Sequence, residues 1–141
     1  MSTLLEHLPA LLDDDPSVAA VLGRRTASLA VAEPARAMVL ASLVRRTGRT
    51  PLVVAVPTGT EAERLANDLR LFLGDLPSGR SAVELFPAWE TLPFERISPG
   101  VETMGRRLRA LHRLASIDDR PLVVVASGRA LVQRLGPGAG R

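Results

Sequence analysis

Apolar residues recur along this chain in two registers, and the switch between them outlines the fold. Leu4, Leu5, Leu8, Leu11 and Leu12 fall on a helical stripe. Asp13, Asp14, Asp15 and Pro16 interrupt it, and Asp15 reads as the N-cap of a short second helix with Pro16 at its first position. Residues 1–25 are therefore expected to form a helical preface. From residue 26 the pattern alternates. Ser28–Ala32 is a short apolar run read as a first strand, and 34–47 reads as a helix with Pro34 at its start and Gly48 as its stop. Leu52–Val56 is a continuous apolar strand. Thr60 and Glu63 have the spacing of a capping box for the next helix, whose core face is Ala62, Leu65, Ala66, Leu69, Phe72 and Leu73. Ala82–Phe86 reads as a third strand. Val101, Met104, Leu108, Leu111 and Ala115 recur every three or four positions and predict a helix buried along that stripe. Leu122–Ala126 reads as a fourth strand, followed by a helix over 128–135. Strands of nearly unbroken Val, Ala and Leu are buried on both faces. Alternation with helices then implies an α/β fold with a parallel sheet and right-handed crossovers. Residues 26–135 are assigned to this sheet, and Gly136–Arg141 to a linker.

Composition narrows the chemistry. The chain has 141 residues, enough for one domain with a core. Only 3% are aromatic, so that core must be aliphatic. No cysteine is present, which removes disulfides and thiolate metal sites and fits a reducing cytoplasm. Residues 1–12 lack a basic leader region, and no apolar run approaches the ~20 residues that span a membrane. The expectation is a cytoplasmic protein with no membrane partner. All 18 basic residues are arginine, and the net charge is +3. With no Lys, Tyr or Cys, that charge holds over a wide pH range. It is uneven: residues 76–141 carry ten arginines against six acids, concentrated at Arg106, Arg107, Arg109 and Arg113.

The most specific segment is Phe86–Pro99, FPAWETLPFERISP, which holds the single tryptophan and three of the eleven prolines. Trp89, Glu90, Thr91, Leu92, Pro93, Phe94, Glu95, Ser98 and Pro99 resemble the Leu-Pro-x-Trp-Glu-Thr-Leu-Pro-Tyr/His-Glu-x-x-Ser-Pro stretch of bacterial transcription-repair coupling factors of the Mfd type. The layout around it is similar to their N-terminal UvrB-like module. The resemblance implies a RecA-like, P-loop-type sheet, present here as part of a domain. Ser98 and Pro99 would cap the next helix. Trp89, Leu92 and Phe94 have two readings: covering the end of the sheet, or contacting a partner or DNA.

In nucleotide-binding α/β domains the first strand-to-helix turn cradles phosphate through a Gly-rich loop with Lys and Ser/Thr. Here that turn is Ala32, Glu33, Pro34, Ala35, Arg36 and Ala37. It has no glycine, Pro34 removes a donor, Glu33 opposes phosphate, and Ala37 cannot ligate magnesium. The residues read as a degenerate nucleotide site that binds no cofactor, in agreement with the family's UvrB-like module, which has lost its ATP site. Arg106, Arg107, Arg109 and Arg113 read as a solvated helix face or a nucleic-acid contact. Ser127–Leu131 resembles the Thr-Pro-Gly-Arg-Leu element of superfamily 2 helicases, which places Arg129 near a DNA phosphate; a plain Ser127 N-cap explains it equally. His7 and His112 form no motif, and no catalytic dyad or metal site is legible.

The resemblance implies that the parent protein is an ATP-dependent double-stranded DNA translocase that removes stalled RNA polymerase and recruits UvrA for nucleotide excision repair. ATP and magnesium would act in its motor, and this chain would be a non-catalytic scaffold part. Two other readings stand beside it: a stand-alone α/β binding module, and a fragment of an active P-loop helicase or UvrB-type ATPase.

Overall fold

The computed structural model describes residues 4–89 and 100–133. Leu4–Leu12 forms a 3-10 helix and not an α-helix, with Pro9 inside it. A three-residue repeat turns a different face inward: Pro9 is buried and Glu6 and Leu12 are half-buried, while Leu4 and Leu11 are exposed. Helix α1 (Pro16–Val21) is capped as expected, Asp15 accepting from the amides of Ser17 and Val18 at 2.8 and 3.2 Å.

Residues 28–32 do not form the strand their apolar character predicts. A strand exists by pairing, and among the described residues the three strands of the sheet pair only with one another. A 3-10 turn at Glu33–Ala35 leads into α2 (Arg36–Thr47), which stops at Gly48 in the left-handed conformation at φ 60°. Strand β1 (Leu52–Val56) comes next, then α3 (Gly59–Leu73), β2 (Val83–Phe86), α4 (Val101–Ala115), β3 (Val123–Ser127) and the short α5 (Gly128–Val132). The sheet is parallel, in the order β1-β3-β2, with Val54 and Leu85 both opposite Val125. The chain is thus a mixed α/β structure around a small, open, three-stranded parallel sheet. The expected four strands are three among the described residues.

One face of the sheet is closed. Ala37, Ala41 and Val44 of α2 and Ala62, Ala66 and Leu69 of α3 pack on Val83, Val123 and Val125. The other is half closed. Phe86, Val124 and Ala126 are covered by Ala110 and Leu114 of α4 and Ala130 of α5, but Val53 on the same face of β1 is 55% exposed.

Helix α4 reverses its expected orientation. Its buried residues are Thr103, Arg107, Ala110 and Arg113. The apolar stripe read as core lies to one side: Val101 is 85% and Leu108 60% exposed, with Met104 also exposed. The polar flank of α4 faces α3 across a groove in which Leu85 of β2 lies. No helix among the described residues is long and apolar enough to cross a membrane.

Candidate functional site

The carboxyl ends of the three parallel strands converge on one crevice of about 390 Å³, lined by Thr58, Trp89, Thr103, Arg106, Ser127 and Arg129 among others. The chain leaves β1 toward the closed face and leaves its neighbour β3 toward the other. Such a divergence between adjacent strands opens a crevice at the carboxyl edge of a sheet.

Local sequence builds each wall. After β1, Pro57 ends the strand and Thr58 caps α3. Its hydroxyl accepts from the amide of Glu61 at 3.2 Å, and the Thr58 amide donates to the Glu61 carboxylate at 3.2 Å. This is a capping box at Thr58 and Glu61, and not at the Thr60–Glu63 pair expected from the sequence, which lies two residues later. After β3, the Ser127 hydroxyl accepts from the amide of Ala130 at 3.2 Å and starts α5, which leaves Arg129 exposed at the rim.

After β2, residues 87–89 are held from two sides. The Gln133 side chain accepts from the Trp89 amide at 2.6 Å and donates to its carbonyl at 3.4 Å. Arg107 enters between the rings of Phe86 and Trp89, its guanidinium carbon 4.2 and 4.5 Å from their centroids, and donates to the Pro87 carbonyl at 2.7 Å. It is 1% exposed, and burial lowers its pKa below the usual arginine value. Trp89 is thus half-buried, stacked on Arg107 and lining the crevice at the strand ends. Glu90, Thr91, Leu92, Pro93, Phe94, Ser98 and Pro99 of the same motif lie outside the described residues, as does the 136–141 tail; α4 opens at Val101 with Gly100 as its N-cap.

The four arginines of α4 divide. Arg107 holds the connector. Arg113 is also buried: it pairs with Glu84 at 2.7 Å and with Asp119 at 3.3 Å, and donates to the carbonyls of Ser81 and Asp119 at 2.7 and 3.2 Å. Arg109 reaches the other oxygen of Glu84 at 3.2 Å from the solvent side. Arg106 pairs with Glu102 one turn away on the surface. Arg106 and Arg129 share the crevice; Arg107 and Arg113 are committed to internal contacts. Glu84 and Gln133 were not singled out in the sequence. Glu84 left a signal, a carboxylate inside an apolar strand, whereas Gln133 left none.

The corner at Glu33, Pro34, Ala35, Arg36 and Ala37 lies against α3 and not in the crevice. Ala37 is buried under the sheet, and Glu33 pairs with Arg64 at 3.7 Å on the surface. The cavity beside it measures about 70 Å³ and is lined by Glu33, Glu61 and Asp68 as well as Arg36 and Arg64. Small-molecule sites are typically roughly 300–1,000 Å³. Among the described residues no group of three or more His, Cys, Asp or Glu side chains is placed to hold a metal ion.

No protein-family model matches the chain. Curated relatives do. The transcription-repair-coupling factors of Mycobacterium bovis and Mycobacterium tuberculosis are each 48% identical to it over 124 residues, 84% of this chain and 9% of theirs. That of Myxococcus xanthus is 35% identical over 116 residues, 82% of this chain and 10% of its own. The chain thus spans about a tenth of the length of the relatives it matches. On that similarity, over more than four fifths of its length, the chain belongs to the transcription-repair-coupling factor family.

Proposed function

We propose that this chain is a non-catalytic scaffold part of a transcription-repair-coupling factor. Residues 1–25 serve as a preface to the first part of a RecA-like, UvrB-like domain at 26–135, and residues 136–141 serve as a linker. The whole protein, on this reading, acts on RNA polymerase and double-stranded DNA and recruits UvrA, with ATP and magnesium used in its motor. The observation that carries the non-catalytic reading is the Glu33–Ala37 corner. It offers no glycine for close approach of phosphate, and its 70 Å³ cavity sets three carboxylates against two guanidinium groups. A triphosphate there would meet like charge, and Ala37 supplies no hydroxyl for magnesium. Calorimetric titration with Mg-ATP should show no binding up to about millimolar ligand, so any binding free energy is weaker than ~4 kcal/mol. Saturable micromolar binding that Arg36→Ala removes overturns this reading.

A second reading rests on Arg106 and Arg129, which share one crevice at the strand ends. Two guanidinium groups with Thr58 and Ser127 suit a nucleic-acid backbone, for which phosphate contacts position without specifying sequence. Arg129→Ala should weaken duplex binding uniformly across sequences and lower the salt dependence of log K by about one unit. An unchanged salt slope excludes a phosphate contact by Arg129.

A further inference from the structure

An open groove of about 790 Å³ runs between α3 and α4, with Leu85 of β2 between its walls. A second hollow of about 410 Å³ continues it past the start of β2, and Arg70 and Arg109 line both. Along each wall the charge changes sign. Glu63 precedes Arg70 on α3, and Glu102 precedes Arg109 and Arg113 on α4. The early turns of both helices bear carboxylates at one end of this trough. The late turns, joined by Arg80, crowd guanidinium groups at the other.

That arginine end is short of anions. Glu84 serves both Arg109 and Arg113, at 3.2 and 2.7 Å. Asp119 serves both Arg80 and Arg113, at 3.0 and 3.3 Å. Arg70 bonds to Asn67 at 2.7 Å and has no carboxylate within ion-pair distance among the described residues. Four guanidinium groups thus share two carboxylates, which leaves two positive charges unmatched. The side chains of Arg80 and Arg109 are 58% and 57% exposed, so a ligand can reach them.

We propose that this trough docks an acidic segment of a partner protein through its side chains, with carboxylates over Arg70, Arg80 and Arg109. Complementary charge of this kind selects a partner and fixes its register. Strand pairing plays no part: of β2 only Leu85 is not fully buried, and the Val83 amide already donates to the Ser81 hydroxyl at 3.2 Å. From Glu102 to Arg113 α4 runs about 16 Å, the reach of about five extended residues. Gly105 stands in the α4 wall, where a Cβ would meet none of the described atoms within 4 Å. A helix-interior glycine costs stability relative to alanine, and here it leaves the α4 backbone open to close approach. Glu63 and Glu102 oppose a continuous phosphate backbone along the same path, whereas a peptide can place uncharged residues there.

The test is hydrogen–deuterium exchange on the intact coupling factor, read at residues 80–84 and 102–113. The probe is a peptide of four Asp followed by four Ser; four Lys followed by four Ser, and a single-stranded DNA oligonucleotide, are comparators. The acidic peptide should slow exchange at these residues saturably. Arg70→Glu with Arg80→Glu should weaken that protection about tenfold or more, while Arg129→Glu at the strand-end crevice leaves it unchanged. Gly105→Leu should also weaken it without lowering the melting temperature, because leucine fills the groove and favours helix. No protection at millimolar acidic peptide, or equal protection by the lysine peptide, overturns the proposal. So does protection by DNA alone, or protection that the Arg70–Arg80 double substitution leaves intact.

Discussion

Arg113→Ala should destabilise the protein by ~3–5 kcal/mol, as expected when one partner of a buried ion pair is removed. Arg113 and Glu84 are both almost wholly inaccessible, so solvent does little to screen them. The substitution leaves the Glu84 carboxylate facing an apolar layer of Phe86, Val124 and Ala126, held only by Arg109 from the surface. It also strips the Ser81 and Asp119 carbonyls of a charged donor. Hydrogen bonds to charged groups contribute ~1.5–3 kcal/mol each. Removing both charges removes the uncompensated one: Glu84→Leu with Arg113→Met should be more stable than Arg113→Ala alone. Chemical denaturation of these variants beside the unsubstituted protein reads this out. A loss below ~1 kcal/mol in Arg113→Ala would place the pair among surface bridges that contribute little.

Arg107→Ala should be nearly as damaging, by ~2–4 kcal/mol, because a desolvated cation between two aromatic faces contributes about 2 kcal/mol or more. Part of that gain offsets the burial that lowers the Arg107 pKa. The planar guanidinium fits a slot between rings at 4.2 and 4.5 Å, and an ammonium group does not, so Arg107→Lys should recover little. Trp89 is the only tryptophan, so its emission reports this site alone. Native emission should be blue-shifted, should move to the red in denaturant, and should already be red-shifted in folded Arg107→Ala. Trp89→Ala should itself cost ~3 kcal/mol or more, within the range for a packed large aromatic. A solvent-exposed native emission maximum with a near-neutral Trp89→Ala would instead assign this residue to partner binding.

Strands were legible where burial alone decides them. Val123–Ser127 is buried throughout, and the sequence reads Leu122–Ala126 as an unbroken apolar run. Ser28–Ala32 has a similar composition but pairs with no strand among the described residues, and pairing is a tertiary fact that composition does not carry. Two overlapping Thr-x-x-Glu pairs both fit a cap; the earlier one formed because α3 begins directly after Pro57. In helix α4 the period was right and the face wrong. Periodicity ranks arginine as a surface residue, but Glu84, Asp119 and two aromatic rings on neighbouring elements draw Arg107 and Arg113 inward and turn Met104 and Leu108 outward. Of the crevice, Arg106 was named from charge and Arg129 from the resemblance of Ser127–Leu131 to a helicase element, but not their sharing one site; the Gln133 clasp on Trp89 depends on a contact across 44 residues.

The half-open sheet face bears most directly on the scaffold account. Val53 on β1 and Val101, Met104 and Leu108 on α4 are exposed apolar side chains, and the outer edge of β1 has no strand beside it among the described residues. Surfaces of this kind associate or aggregate unless something covers them. Native stability is a small difference of ~5–15 kcal/mol, so an incomplete shared core can remove most of it. The decisive measurement compares the melting of residues 1–141 with that of a longer form extended through the rest of the module. The account predicts a lower, broader transition for residues 1–141, with dye binding to exposed apolar surface or self-association, and a sharp, higher transition for the longer form. A monomeric 1–141 that melts as sharply and as high as the longer form would contradict it, and would make these residues a complete domain.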